Sequence, residues 1–167
     1  GEYSIIQDSM GLTLPYNEFN GKLTFNVNEK KEQFVIESNE HLVEFANYLQ
    51  NLLDTKQLDC DFNIDAFKND IEKGMYFQST IPQGFGVGSS GALVAAVYGK
   101  YTINKIEIDS APNKETILNL KAILAKMESH FHGSSSGVDP LICYLNLPLL
   151  INGKNGVEAV KVEMNNL

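Results

Sequence analysis

Residues 82–92 read Pro-Gln-Gly-Phe-Gly-Val-Gly-Ser-Ser-Gly-Ala. Gly84, Gly86 and Gly88 alternate directly after a strand-like run, Met75–Ile81, and a small-residue helical run, Gly91–Tyr101, follows the two serines. Glycine removes Cβ from the approach face and tolerates the dihedrals of an anion-binding nest. A helix start adds free N–H groups and the positive end of a dipole. Ser89 or Ser90 is placed to cap that helix and to offer a hydroxyl to a metal ion. The plainer alternative is a glycine-rich turn capped by serine. No Gly-Lys-Ser/Thr closes the loop, so the Walker pattern is absent. Gly86, Gly88 and Gly91 satisfy a dinucleotide fingerprint, but the second strand it requires has only Ile106–Asp109 as a thin candidate.

Two other segments bear on the choice. Residues 128–139 read Glu-Ser-His-Phe-His-Gly-Ser-Ser-Ser-Gly-Val-Asp, and the chain opens Gly1-Glu2-Tyr3. The glycine loop closely resembles the phosphate-binding motif of the GHMP kinases, Pro-x-x-x-Gly-Leu-Gly-Ser-Ser-Ala or Gly, with Val87 in place of leucine. The second segment resembles the mevalonate kinase run Glu…His-Gly-x-x-Ser-Gly-Val-Asp. The opening resembles the end of the family's first motif, Gly-Glu-His or Gly-Glu-Tyr. Three matches in the right order span nearly the whole chain.

The resemblance implies an ATP-dependent kinase of a small alcohol that uses Mg²⁺, with mevalonate the favoured acceptor and phosphomevalonate the alternative. It makes Gly84, Gly86, Val87, Gly88, Ser89, Ser90 and Gly91 the phosphate-binding residues. Ser90 and Glu128 become the metal ligands, and hard oxygens of this kind suit a divalent ion. Asp139 becomes the catalytic carboxylate, and Glu2, Tyr3, His132, Gly133 and Ser136 the substrate side. Tyr3 departs from the histidine usual in mevalonate kinases; Tyr3 and Gly91 both lean towards phosphomevalonate. Without the resemblance, Glu128 reads as a solvated helix-end glutamate and Asp139, before Pro140, as a turn residue.

The 167 residues are enough for one good core. The formal charge is −8 and all 13 basic residues are lysines, scattered along the chain, which argues against a nucleic-acid surface. Cys60 and Cys143 have no CxxC spacing and imply no disulfide framework, in keeping with a reduced, cytoplasmic protein. The apolar run Leu145–Ile151 is too short to span a bilayer. His130 and His132 stand two apart with no third clustered ligand, against a zinc site.

Strands are expected at Gly11–Tyr16, Lys22–Asn28, Gln33–Glu37, Met75–Ile81, Leu141–Ile151 and Val157–Val162, the last two joined by a hairpin signal at Asn152–Gly156. A helix capped by Ser38 or Asn39 carries Leu42, Val43, Phe45, Ala46, Leu49, Leu52 and Leu53 at a period near 3.6. Further helices are expected at Asp65–Lys73, from the glycine loop to about Ile106, and at Glu115–Phe131. The mixture lacks a strict βαβ rhythm, so the fold class is α+β. The resemblance sharpens this to a mixed sheet covered by helices, as in ribosomal protein S5.

Gly133-Ser-Ser-Ser-Gly137 also satisfies the GxSxG pattern of serine hydrolases. A nucleophile elbow follows a strand and has its histidine downstream, whereas a helix is expected before this string and His41, His130 and His132 all lie upstream. A last expectation concerns extent. The resemblance makes residues 1–167 an N-terminal domain lacking the family's upstream lysine and its C-terminal domain, hence inactive alone. The partners it implies are ATP, the alcohol and the missing domain, with a second copy of the chain as a further candidate.

Overall fold

The computed structural model describes residues 10–15, 18–26, 32–81, 88–106, 112–152 and 156–160. The chain runs β1 (Met10–Thr13), β2 (Gly21–Phe25), α1 (Gln33–Asp54), α2 (Ile64–Glu72), β3 (Met75–Ser79), α3 (Ser89–Tyr101), α4 (Lys114–His132), α5 (Val138–Leu145), β4 (Leu149–Asn152) and β5 (Gly156–Ala159). The class is α+β, as expected. The described strands pair antiparallel in two small sheets, β1-β4-β5 and β2-β3.

The long helices form where the apolar period predicts. On α1, Leu42, Phe45, Ala46, Leu49 and Leu52 are buried, while Val43 is exposed. On α4, Ile117, Leu120, Ile123, Leu124 and Met127 turn inward. Each large apolar side chain so buried contributes roughly 1.5–3 kcal/mol. Tyr98 of α3 and Phe67 of α2 complete the largest fully buried set with Phe45. Asn63 caps α2 by accepting from the Ala66 N–H at 3.0 Å, and Asn113 caps α4 by accepting from Thr116 at 2.9 Å.

Several expectations fail. Gln33–Glu37 is the first turn of α1, not a strand, and Val35 within it is buried. Ser38 and Asn39 therefore sit inside the helix and cap nothing. They bond to β3 and the end of α2 instead. Ser38 Oγ accepts from the Phe77 N–H at 2.9 Å and donates to its carbonyl at 3.2 Å. Asn39 Nδ2 donates to the carbonyls of Met75 and Ile71 at 2.6 and 3.0 Å. Leu141–Ile151 is likewise not one strand. Its first half belongs to α5, which ends where Asn146 turns left-handed at φ 50°, and only Leu149–Asn152 is extended. Pro140 sits in the first turn of α5, where its missing N–H costs no helical bond. α3 ends at Tyr101, short of Ile106, and Thr102 bridges to Phe62.

Two helix contacts position the site. A Cβ on Gly91 of α3 would stand 2.8 Å from the Asp139 carbonyl carbon and 2.9 Å from the Pro140 nitrogen, so α5 packs directly on the backbone of α3. A Cβ on Gly137 would stand 2.4 Å from the Lys121 carbonyl oxygen of α4, and this residue has φ +75°. Only glycine meets both demands at 137.

Candidate active site

The N-terminus of α3, the C-terminal end of α4 and the first turn of α5 converge. Gly88, at φ 77°, is the N-cap of α3, and no side chain caps the helix. Ser89 and Ser90 are thus helical residues, contrary to the capping expectation. That leaves the Ser90 hydroxyl for other partners.

Ser90 Oγ donates to Glu128 Oε1 at 3.1 Å and lies 3.0 Å from His132 Nε2. Glu128 is 4 % exposed, so the solvated helix-end reading fails. It follows Met127 on the inward side of α4. Its other oxygen, Oε2, accepts from Ser135 Oγ, which in turn accepts from the Gly137 N–H at 2.9 Å. Burial pushes the Glu128 carboxyl above its ordinary pKa. The hydroxyls of Ser135 and Ser90 pull it back, Asp139 raises it and His132 lowers it. A buried carboxylate with a second carboxylate nearby is costly unless a cation joins it.

Asp139 lies in the first turn of α5, so the plainer reading of it as a turn residue fails. Its carboxylate comes within 3.9 Å of where a Gly88 Cβ would be. Two helix N-termini, of α3 and α5, thus face the same region, and both favour negative charge there.

A cavity of about 730 Å³ opens at this point. Gly88 and Asp139 line it, with Ala92, Ala95 and Ala96 from α3 and Ile142, Cys143 and Asn146 on the α5 side. Thr13, Leu14 and Pro15 at the end of β1, and Phe19, Asn20 and Gly21 at the start of β2, also line it. The size suits a small organic ligand. Cys143 is a free, exposed thiol; the surrounding protein and the charges of Asp139 and Glu128 push it up to about 11.

The structure therefore gathers Gly88, Ser89, Ser90, Gly91, Glu128, His132 and Asp139, residues expected from two separate stretches, 82–92 and 128–139. Gly133 is the C-cap of α4, and Ser136 makes a local turn, its oxygen 3.4 Å from the Val138 nitrogen. Gly84, Gly86, Val87, Glu2 and Tyr3 lie outside the described residues, as does most of the Ile106–Asp109 candidate strand. Sequence reasoning missed Ser135. Three consecutive serines gave no signal that the middle one reaches Glu128. The same contact bears on the hydrolase alternative: the segment joins two helices, and Ser135, the middle serine of GxSxG, is engaged with a carboxylate.

For Mg²⁺ the residues present fit. Ser90 Oγ and Glu128 Oε1 are hard oxygens already side by side on facing helices. Among the described residues no cluster of three or more His, Cys, Asp or Glu could hold a metal by itself. No described helix is long and apolar enough to cross a membrane.

No curated protein and no solved structure matches the chain significantly. The family described as GHMP kinases N terminal domain matches residues 41–146, more than half of the chain and all of the cluster from Gly88 to Asp139. With that match and the meeting of Ser90, Glu128 and Asp139, the chain belongs to the GHMP kinases, ATP-dependent phosphotransferases of small molecules.

Proposed function

We propose that this chain is the N-terminal domain of a kinase that transfers the γ-phosphoryl group of ATP to the hydroxyl of mevalonate. The observation that carries the reading is the contact of Ser90 with Glu128 at 3.1 Å, across 38 residues, with Asp139 packed against the same helix start. Phosphoryl transfer needs alignment and charge stabilisation more than covalent help. Gly88, Ser89 and the α3 N-terminus present N–H groups to the phosphates, and Gly84, Gly86, Val87 and Gly91 belong to the same phosphate-binding set in this reading. Ser90 and Glu128 would hold Mg²⁺, which would neutralise charge on the terminal phosphates. Asp139 faces the cavity and accepts the acceptor's proton, or orients the hydroxyl, as it attacks phosphorus. Glu2, Tyr3, His132, Gly133 and Ser136 belong to the substrate side in this reading.

The choice of mevalonate rests on His132-Gly133 and Ser136-Gly137-Val138-Asp139. Tyr3 still favours phosphomevalonate. Gly91 loses its weight as a substrate signal, because the approach of α5 accounts for it. The reading also includes a C-terminal domain that completes the cleft, a cytoplasmic location and association with a second copy.

The test is ADP release by the full-length protein with mevalonate, phosphomevalonate or no acceptor. Mevalonate should support turnover, and Asp139→Asn should lower it on the order of 10²–10⁴-fold with ATP affinity retained. Preference for phosphomevalonate would refute the acceptor, and full activity of the Asn variant would refute the role of Asp139.

A further inference from the structure

We propose that Ser135 is a positioning residue for Glu128, fixing which carboxylate oxygen faces Ser90 and tying that carboxylate to the helix that carries Asp139. The proposal rests on the reading of Glu128 as a metal ligand.

The Ser135 hydroxyl has one proton, and it goes to Glu128 Oε2. One of its lone pairs takes the Gly137 N–H at 2.9 Å. Both partners are held by packing. Glu128 is buried on α4, and Gly137 is wedged against the Lys121 carbonyl of the same helix. Oε2 is thereby occupied, and Oε1 is the oxygen presented to Ser90. A carboxylate held through one oxygen can swing about its last torsion; held through both, it keeps one orientation. Groups that orient a metal ligand in this way are worth about 10–100-fold in metal affinity.

The neighbouring serines cannot substitute. Ser134 is exposed, and the Ser136 oxygen lies against the Val138 nitrogen within its own turn. Because Gly137 is also the N-cap of α5, the Glu128–Ser135–Gly137 chain sets the spacing between the metal-side carboxylate and Asp139, two residues further on.

The test is Mn²⁺ binding to the intact protein with a non-hydrolysable ATP analogue, followed by electron paramagnetic resonance, in wild type, Ser135→Ala, Ser135→Thr and Glu128→Gln. The Mn²⁺ dissociation constant should rise about tenfold or more in Ser135→Ala, and Ser135→Thr, which keeps the hydroxyl, should restore most of it. In steady state the Mg²⁺ concentration for half-maximal rate should rise in Ser135→Ala while the acceptor KM holds. Wild-type Mn²⁺ affinity in Ser135→Ala, or a threonine variant as weak as alanine, overturns the proposal while leaving the metal site intact. Binding unaffected by Glu128→Gln refutes the metal reading and this role with it.

Discussion

Replacing Gly137 with alanine tests the packing that joins α4 to α5. The new Cβ would lie 2.4 Å from the Lys121 carbonyl oxygen and 2.8 Å from the Ala125 Cβ. Ordinary contact begins at 3.4 Å, so α5 must withdraw by about an ångström. Gly74 is the control. It has φ +86°, against +75° at 137, but a Cβ there meets nothing within 4 Å. Both variants carry the left-handed penalty of about 1–2 kcal/mol. Both regain about 0.4–1 kcal/mol from the stiffer unfolded chain. Only Gly137→Ala adds overpacking, about 1–3 kcal/mol, and that increment is the predicted difference. Urea unfolding followed by circular dichroism, with equal m-values, measures it. In the active protein a shift of about 1 Å at Asp139 should also lower turnover on the order of 10²-fold, beyond any loss of folded protein. Gly137→Ala losing no more stability than Gly74→Ala would refute the argument.

Glu128→Gln should change the pH dependence of stability in metal-free protein. Burial raises the folded carboxyl pKa above its unfolded value, so the native state holds that proton more tightly. The contribution is therefore full below about 4.3 and is lost as pH rises through the raised folded value. The Gln variant should gain on wild type at pH 7 relative to pH 4 in urea melts, and should lose stabilisation by Mg²⁺ with nucleotide. Tyr101→Phe should cost about 1.5–3 kcal/mol in the same melts. The buried hydroxyl of Tyr101 donates to Asp70 Oδ2 at 2.7 Å. Phe67→Ala, at a fully buried side chain whose ring packs tilted against Tyr101, should cost about 3–5 kcal/mol.

The helices α1 and α4 were legible because their inward residues repeat at the helical period over many turns. The start of α1 was not. Phe34-Val35-Ile36 has strand-like residues, and Ser38 and Asn39 look like caps, but their partners on β3 are more than 30 residues away in sequence. Leu141–Leu145 failed for another reason. A continuous apolar run carries no period, and burial against α3 decides that it is a helix. At the site, Ser90, Glu128 and Asp139 were singled out by the resemblance of two local strings to a family's motifs; without it Glu128 and Asp139 read as a solvated glutamate and a turn residue. Ser135 was not, because only the fold determines which of three adjacent serines reaches the carboxylate.

The bonds from Ser38 and Asn39 have a consequence for how this domain meets other chains. β3 pairs with β2 along one side, and its opposite side would ordinarily offer free N–H and C=O groups as a template for an incoming strand. Here a hydroxyl occupies both backbone groups of Phe77, and a carboxamide takes the Met75 carbonyl. A helix thus ends the sheet as a neighbouring strand would, without offering a further edge of its own, so an approaching extended segment finds no ladder to join along Met75–Phe77.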